Sequence, residues 1–128
     1  MDRHSAALAL AGIIGSSVAV VHGVLTQRVL VEPFQDIAAV RVSATIQRLV
    51  AALLQFSTFN WFIGGLALVV AASLLGREAR LATGLLVGSS YLFAAVGNLW
   101  ATRGHHPGWV LYGVALCLIV YGLRVQGA

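Results

Sequence analysis

The sequence predicts an all-α polytopic membrane protein, four transmembrane helices in an up-down antiparallel bundle, and three observations carry that reading. Hydrophobic residues make up 59% of the chain and charged residues 9%, with a mean hydropathy of +0.91, whereas soluble domains carry about a quarter charged residues. Residues 49–75 hold no charge at all, and at about 1.5 Å per residue such a run outreaches the ~30 Å of a hydrocarbon core. Charged, proline and glycine-rich breaks divide the 128 residues into four apolar runs, which leaves room for one bundle and no soluble domain. An integral protein of an inner or plasma membrane follows.

The first span, about residues 5–26, reads as retained. Its Met-Asp-Arg-His-Ser start resembles a signal peptide, but no Ala-x-Ala pattern ends the run and it is too long. Ala11, Gly15, Ala19 and Gly23 recur every fourth residue, a small-residue seam for close helix packing. His22 sits one position from the seam, and Thr26 follows one turn later.

Residues 27–42 form the longest connection and the one with mixed charge: Arg28, Glu32, Asp36 and Arg41. Pro33 can open a helix, and Phe34, Ile37, Val40 and Val42 alternate with polar residues. The segment is therefore expected as an amphipathic loop or interfacial helix, or as an early start of the second span. Pairing of Glu32 or Asp36 with Arg28, Arg41 or Arg48 would fold it over the bundle as a lid.

The second span, about 43–75, carries a polar patch inside its apolar run: Gln55, Ser57, Thr58 and Asn60. Lipid offers such groups no partner, so they must turn toward other helices or a wet cavity. At about 100° per residue Arg41, Thr45, Arg48, Gln55 and Thr58 share one stripe, with Ser57 and Asn60 elsewhere. Ser and Thr can satisfy a backbone carbonyl one turn back. Gln55 and Arg48 cannot, and Arg48 is expected at the electrostatic centre of a cavity, because an unpaired arginine costs about 2.5–3.5 kcal/mol at mid-span.

Residues 76–80 read as a tight polar turn. The third span, about 81–101, holds a GxxxG pair at Gly84 and Gly88, then Tyr91 and Asn98. A short second loop ends in His105 and His106, and Pro107 suits the first position of a fourth span, about 107–123. Trp109 and Tyr121 fall at its two ends, where aromatic belts lie. Cys117 is taken as a small core residue.

This topology puts both termini and residues 76–80 on one side, expected inside because Arg77 and Arg80 lie in a short loop. Polar side chains then crowd the other side. The expected site is a loop-side cavity with His22, Arg48, Gln55 and Asn98 as polar contacts, Thr58 and Asn60 completing its floor, and Trp61, Tyr91 and Trp109 as walls. It would bind, with or without a reaction, a small amphiphilic or lipophilic molecule such as a lipid, quinone or polyketide-like compound. The alternative is a non-catalytic accessory or assembly subunit of a larger membrane complex, packing through its seams. A homo-oligomer is expected in either case, since four helices offer few faces on which to bury seams on three of them.

Other classes fit less well. No carboxylate lies within a span, against a proton-coupled carrier of the small four-helix multidrug type. The arginines are scattered and form no basic stripe, so nucleic acid is not expected. No cofactor is expected either: a metal or haem would have to come from His22, His105 and His106, and adjacent histidines rarely ligate one metal. Ser57 and His22 are candidates for a nucleophile and base, without an elbow motif around the serine.

Overall fold

The structure, a computed structural model, describes residues 2–39 and 41–124, and all regular structure among them is helical. The first helix, α1 (Arg3–Thr26), is capped by Asp2, whose carboxylate accepts from the Ser5 amide at 2.7 Å. Hydrogen bonds from the Ser5 backbone and side chain hold that carboxyl below the ordinary aspartate value.

No loop follows α1. A π-helical segment, Gln27–Val31, leads into α2 (Glu32–Ala38), and together they form one 36-residue rod, Arg3–Ala38. Pro33 accounts for the wider turn: it lacks an N–H and crowds the carbonyl four residues back, and a π turn just before it absorbs both defects without ending the helix. Of the connection expected at 27–42, residues 27–38 are helical, and they prolong the first helix and do not begin the second. Val31 and Ala38 are buried, and α2 touches the next helix.

That helix, α3 (Ala44–Leu74), is capped by Ser43, whose hydroxyl accepts from the Ile46 amide at 3.4 Å. Leu75 and Gly76 alone separate it from α4 (Arg77–Thr102), so residues 77–80, expected in a turn, are already helix; Glu78 suits the positive end of α4. Arg103 and Gly104, both at positive φ (51° and 82°), reverse the chain into α5 (Gly108–Leu123). Three of these elements, the rod, α3 and α4, are long and apolar enough to cross a membrane by length and composition. The apolar α5 has 16 residues.

The pairs α1–α3, α3–α4, α4–α5 and α1–α5 run antiparallel. Gly12 lies opposite Gly65 and Gly23 opposite Thr58; Gly64 meets Val87 and Asn60 meets Ser90; Gly84 meets Leu123 and Gly88 meets Ile119; His4 stacks on Tyr121. Both α1 and α4 contact α3 and α5. The closest approach is glycine on glycine: a Cβ on Gly12 would strike the Gly65 carbonyl, and one on Gly65 the Gly12 carbonyl and Ser16. Ser16 then donates to the Phe62 carbonyl at 3.0 Å. The α1 seam is thus spent on α3 and, at Gly15, on Tyr91 of α4, while Gly84 and Gly88 are spent on α5. Gly15, Gly23, Gly84 and Gly88, seam positions expected to serve a second chain, thus meet side chains of this one.

The core centres on Leu8, Leu68, Tyr91 and Tyr112. Cys117 is exposed, contrary to the core role expected, because α5 buries its Tyr112, Ala115 and Ile119 face and position 117 points away from it. Large apolar side chains such as Leu53, Phe59 and Phe93 face outward.

Candidate ligand cleft

Two cavities lie toward the loop end, with α1 as the wall between them. The first, about 420 Å³, sits between α1 and α5. Ile14, Val18, Val21 and Leu111 supply apolar sides, and Ser17, His22, Asn98, His106 and Tyr112 are its polar or amphipathic members. The second, about 430 Å³, is a groove between α1 and α3 lined by Gly23, Gln27, Arg28, Glu32, Gln55 and Thr58.

His22 is half-buried on α1. Its Nε2 lies 3.2 Å from the Thr26 hydroxyl, one turn along the same face, and 3.4 Å from the Ser57 hydroxyl on α3. Ser57 also donates to the Leu54 carbonyl at 3.3 Å. The serine and histidine considered as a catalytic pair therefore meet, but Thr26 shares the nitrogen, the serine proton has a backbone acceptor, and Nδ1 has no hydrogen-bond partner among the described residues. A carboxylate to orient the ring is missing there as well, so the pair lacks the third member that activates such a serine.

From His22 a row of rings crosses the interior. His22 meets Trp61 edge-on at 4.7 Å between centroids, Trp61 meets Tyr112 at 5.1 Å, and Tyr112 meets Tyr91 at 5.0 Å. Tyr91 donates to the Trp61 carbonyl at 3.3 Å. The Tyr112 hydroxyl and the Thr58 hydroxyl are buried with no hydrogen-bond partner, an arrangement that costs about 1–3 kcal/mol per group when left unmade.

The α4–α5 turn fixes the far side of the cleft. Thr102 donates to the Asn98 carbonyl at 2.6 Å and accepts from the His106 amide at 3.4 Å, and the Gly108 amide donates to His106 Nδ1 at 3.0 Å. A ring nitrogen that accepts a backbone N–H carries no proton, so neutral His106 has its proton on Nε2. His105 is the opposite tautomer, its Nδ1–H donating to the Thr102 carbonyl at 3.0 Å, and it is exposed. Asn98 donates from Nδ2 to the Ala94 carbonyl at 2.8 Å, which leaves Oδ1 as an acceptor beside Gly108.

The expected site is thus divided. His22 and Asn98 come together with Trp61 behind them, whereas Gln55 and Thr58 belong to the α1–α3 groove; Gln55 donates to the Gly23 carbonyl at 3.1 Å and to Gln27 at 3.4 Å. The cation of that groove is Arg28, with Glu32 beside it. Arg48 lies about two turns before Gln55 on α3 and is exposed, so it is not the centre of either cavity. Among the described residues no ion pair within 4.0 Å joins Arg28, Arg41 or Arg48 to Glu32 or Asp36. The lid held by ion pairs is therefore not formed: Glu32 and Asp36 are both exposed on the continuous rod, Glu32 in the lining of the α1–α3 groove. Asn60 donates to Ser90 at 3.1 Å on an exposed α3–α4 face, and Trp109 donates to the Gly104 carbonyl at 3.2 Å, bracing the turn without lining the cleft. Tyr91 is core. Three polar or amphipathic cleft residues went unassigned as ligand contacts, Ser17, His106 and Tyr112. The signal for Tyr112 was a tyrosine inside an apolar span, whose hydroxyl must find a partner when buried.

Among the described residues no three His, Cys, Asp or Glu side chains gather into a group that could hold a metal ion. No protein-family model matches the chain, and neither a characterised protein nor a solved structure matches it.

Proposed function

We propose that the chain is a four-span integral membrane protein, termini inside, that holds one small lipophilic molecule with a polar head between α1 and α5. The observation that carries this is the cleft: apolar walls for a tail, and polar groups from α1, α4 and the α4–α5 turn gathered at one part of it. His106 offers an N–H, Asn98 an acceptor and His22 a second imidazole. That set suits a head with carbonyl and hydroxyl oxygens, such as a quinone or a lipid. A head reaching the aromatic row would also give the Tyr112 hydroxyl the partner it lacks.

The membrane reading treats α5 as a short fourth span. At about 24 Å it falls short of a ~30 Å core, a mismatch that flanking Pro107 and Arg124 and local thinning accommodate. The rival, an accessory subunit packing on a larger complex through its seams, is weaker because those seams are filled within the chain. The role is binding; the Ser57–His22 contact gives no reason to add a hydrolytic step.

The test is extraction and mass spectrometry of lipophiles that co-purify with the protein from membranes in mild detergent. One compound near equimolar amount is expected, and Asn98→Leu combined with His22→Phe should lose it while the protein stays folded. In a Trp100→Phe, Trp109→Phe background a short-chain benzoquinone should quench Trp61 fluorescence saturably. Retention of the compound by the double variant, or absence of both a bound compound and saturable quenching, sinks the proposal.

A further inference from the structure

The terminal end of the molecule carries a second kind of cavity, and nothing in the cleft reading calls for it. It measures about 450 Å³ and is lined by Asp2, His4, Arg77, Arg80 and Arg124, with Leu75, Leu81 and Leu123 on its apolar side. Three guanidiniums, from the start of α4 and the end of α5, thus share one hollow with one carboxylate. That carboxylate is engaged as the α1 cap, accepting from the Ser5 amide.

Arg80 separates this hollow from an ordinary ring of interfacial anchors. An anchoring arginine turns out toward headgroups. Arg80 turns inward: its Nε donates to the carbonyls of Ala71 and Leu75 at 2.9 and 2.8 Å, and Nη1 donates to the buried Ser5 hydroxyl at 2.8 Å. The guanidinium is therefore locked before any ligand arrives, with Nη2 left over among the described residues. A fixed planar fork with spare N–H groups is the arrangement that suits phosphate oxygens. Gly76, also in the lining, starts α4 with no side-chain cap, so the first amides of that helix receive no acceptor from its cap residue. His4 is positioned too, stacked on Tyr121 at 4.9 Å with its Nδ1 2.9 Å from the Tyr121 carbonyl.

We infer that this pocket binds a phosphate group, carried either by the head of an anionic lipid or by a free phosphate. The leucine side of the hollow continues onto exposed apolar helix surface at Leu75 and Leu81, as an acyl chain would need. Basic pockets at helix ends on the cytoplasmic side are where anionic head groups are recognised.

The experiment uses the full chain in detergent micelles and reads its melting temperature during three separate titrations: phosphatidylglycerol, phosphatidylcholine and inorganic phosphate. Arg77→Gln/Arg124→Gln is the pocket variant, Arg80 being left in place because it holds the end of α3. Arg41→Gln/Arg103→Gln, at the opposite end, is the charge-matched control. Saturable stabilisation by phosphatidylglycerol and not by phosphatidylcholine is expected, with half-saturation weakened roughly tenfold or more in the pocket variant and unchanged within about twofold in the control. A response confined to phosphatidylglycerol identifies the lipid head; an equal response to inorganic phosphate identifies the free anion. R77K/R124K, which keeps the charge but not the fork, should fall between wild type and the glutamine pair. Equal effects of the two lipids with none from phosphate, or equal losses in the pocket and control variants, overturn the inference.

Discussion

Two halves of one helix behave differently. In α3 every buried residue lies between positions 61 and 72, whereas none of residues 44–60 is buried. The halves differ in composition, since 44–60 carries Arg48, Gln55, Ser57, Thr58 and Asn60 whereas 61–74 has Ser73 as its one polar side chain. They differ in backbone approach as well: Gly65 sits against Gly12 and lets α1 and α3 close on each other, while Gly23 meets the bulk of Thr58 beside a groove lined by Gln55. In a bilayer, where lipid is as apolar as leucine, such packing is what holds helices together. The tight half supplies stability, and the loose half keeps the cavities and the unpartnered polar atoms. Binding regions are commonly drawn from the less stable end of a fold.

The largest effect should come from filling the tight half. A Cβ on Gly15 would lie within the Tyr91 ring and its hydroxyl, and Tyr91 is fully buried, with no room to withdraw. Gly15→Leu is expected to cost more than about 3 kcal/mol, the upper end for overpacking, and to abolish a monodisperse, cooperatively melting species in detergent. Gly23→Ala is its partner in the loose half, where the obstacle is the Thr58 methyl at 2.6 Å. Its expected cost is below about 1.5 kcal/mol, because that half has space to yield. Equal losses would erase the distinction between the two halves.

A smaller effect is expected at Arg80, which ties the end of α3 to the start of α1. Arg80→Gln removes three charge-assisted hydrogen bonds from a half-buried group, and about 1.5–3 kcal/mol should be lost once exposure of the end is allowed for. Arg77→Gln, on an exposed neighbour with no side-chain hydrogen bond among the described residues, should stay within about 0.5 kcal/mol. The ratio of the two melting shifts measures how much of the tight half depends on that one bracket.

The elements legible in the sequence were those that rest on composition and spacing. The apolar runs, the α1 seam and the glycine pair on α4 could be read directly, and His22 and Asn98, both expected among the polar residues of the loop side, line one cavity. Two features escaped for related reasons. Pro33 normally argues for a helix start, and the π turn that lets the rod pass through it depends on backbone spacing that no residue type announces. Arg80 reads as turn charge until the chain between α3 and α4 proves to be only Leu75 and Gly76; the shortness of that link is what carries its side chain back onto α3. Arg48 erred in the opposite direction. Its position on the Gln55 stripe was right, but rise along the helix takes it beyond the groove.

Arg48 therefore gives the smallest expected effect and the most direct check on the loose half. It is exposed, and among the described residues it has no ion-pair partner, so Arg48→Gln should change stability by no more than about 0.5 kcal/mol and leave the co-purifying lipophile in place. Glu32 lines the α1–α3 groove beside Arg28, which makes Arg28→Gln the comparison. Combining Arg48→Gln with Glu32→Gln should give the sum of the single effects, because groups that do not touch do not couple. A loss above about 1 kcal/mol for Arg48→Gln, with the double variant no worse than the single, would mean the two side chains meet in the bilayer. The rod and α3 would then close over the loop end, and the half of α3 described as open would be open only without its membrane.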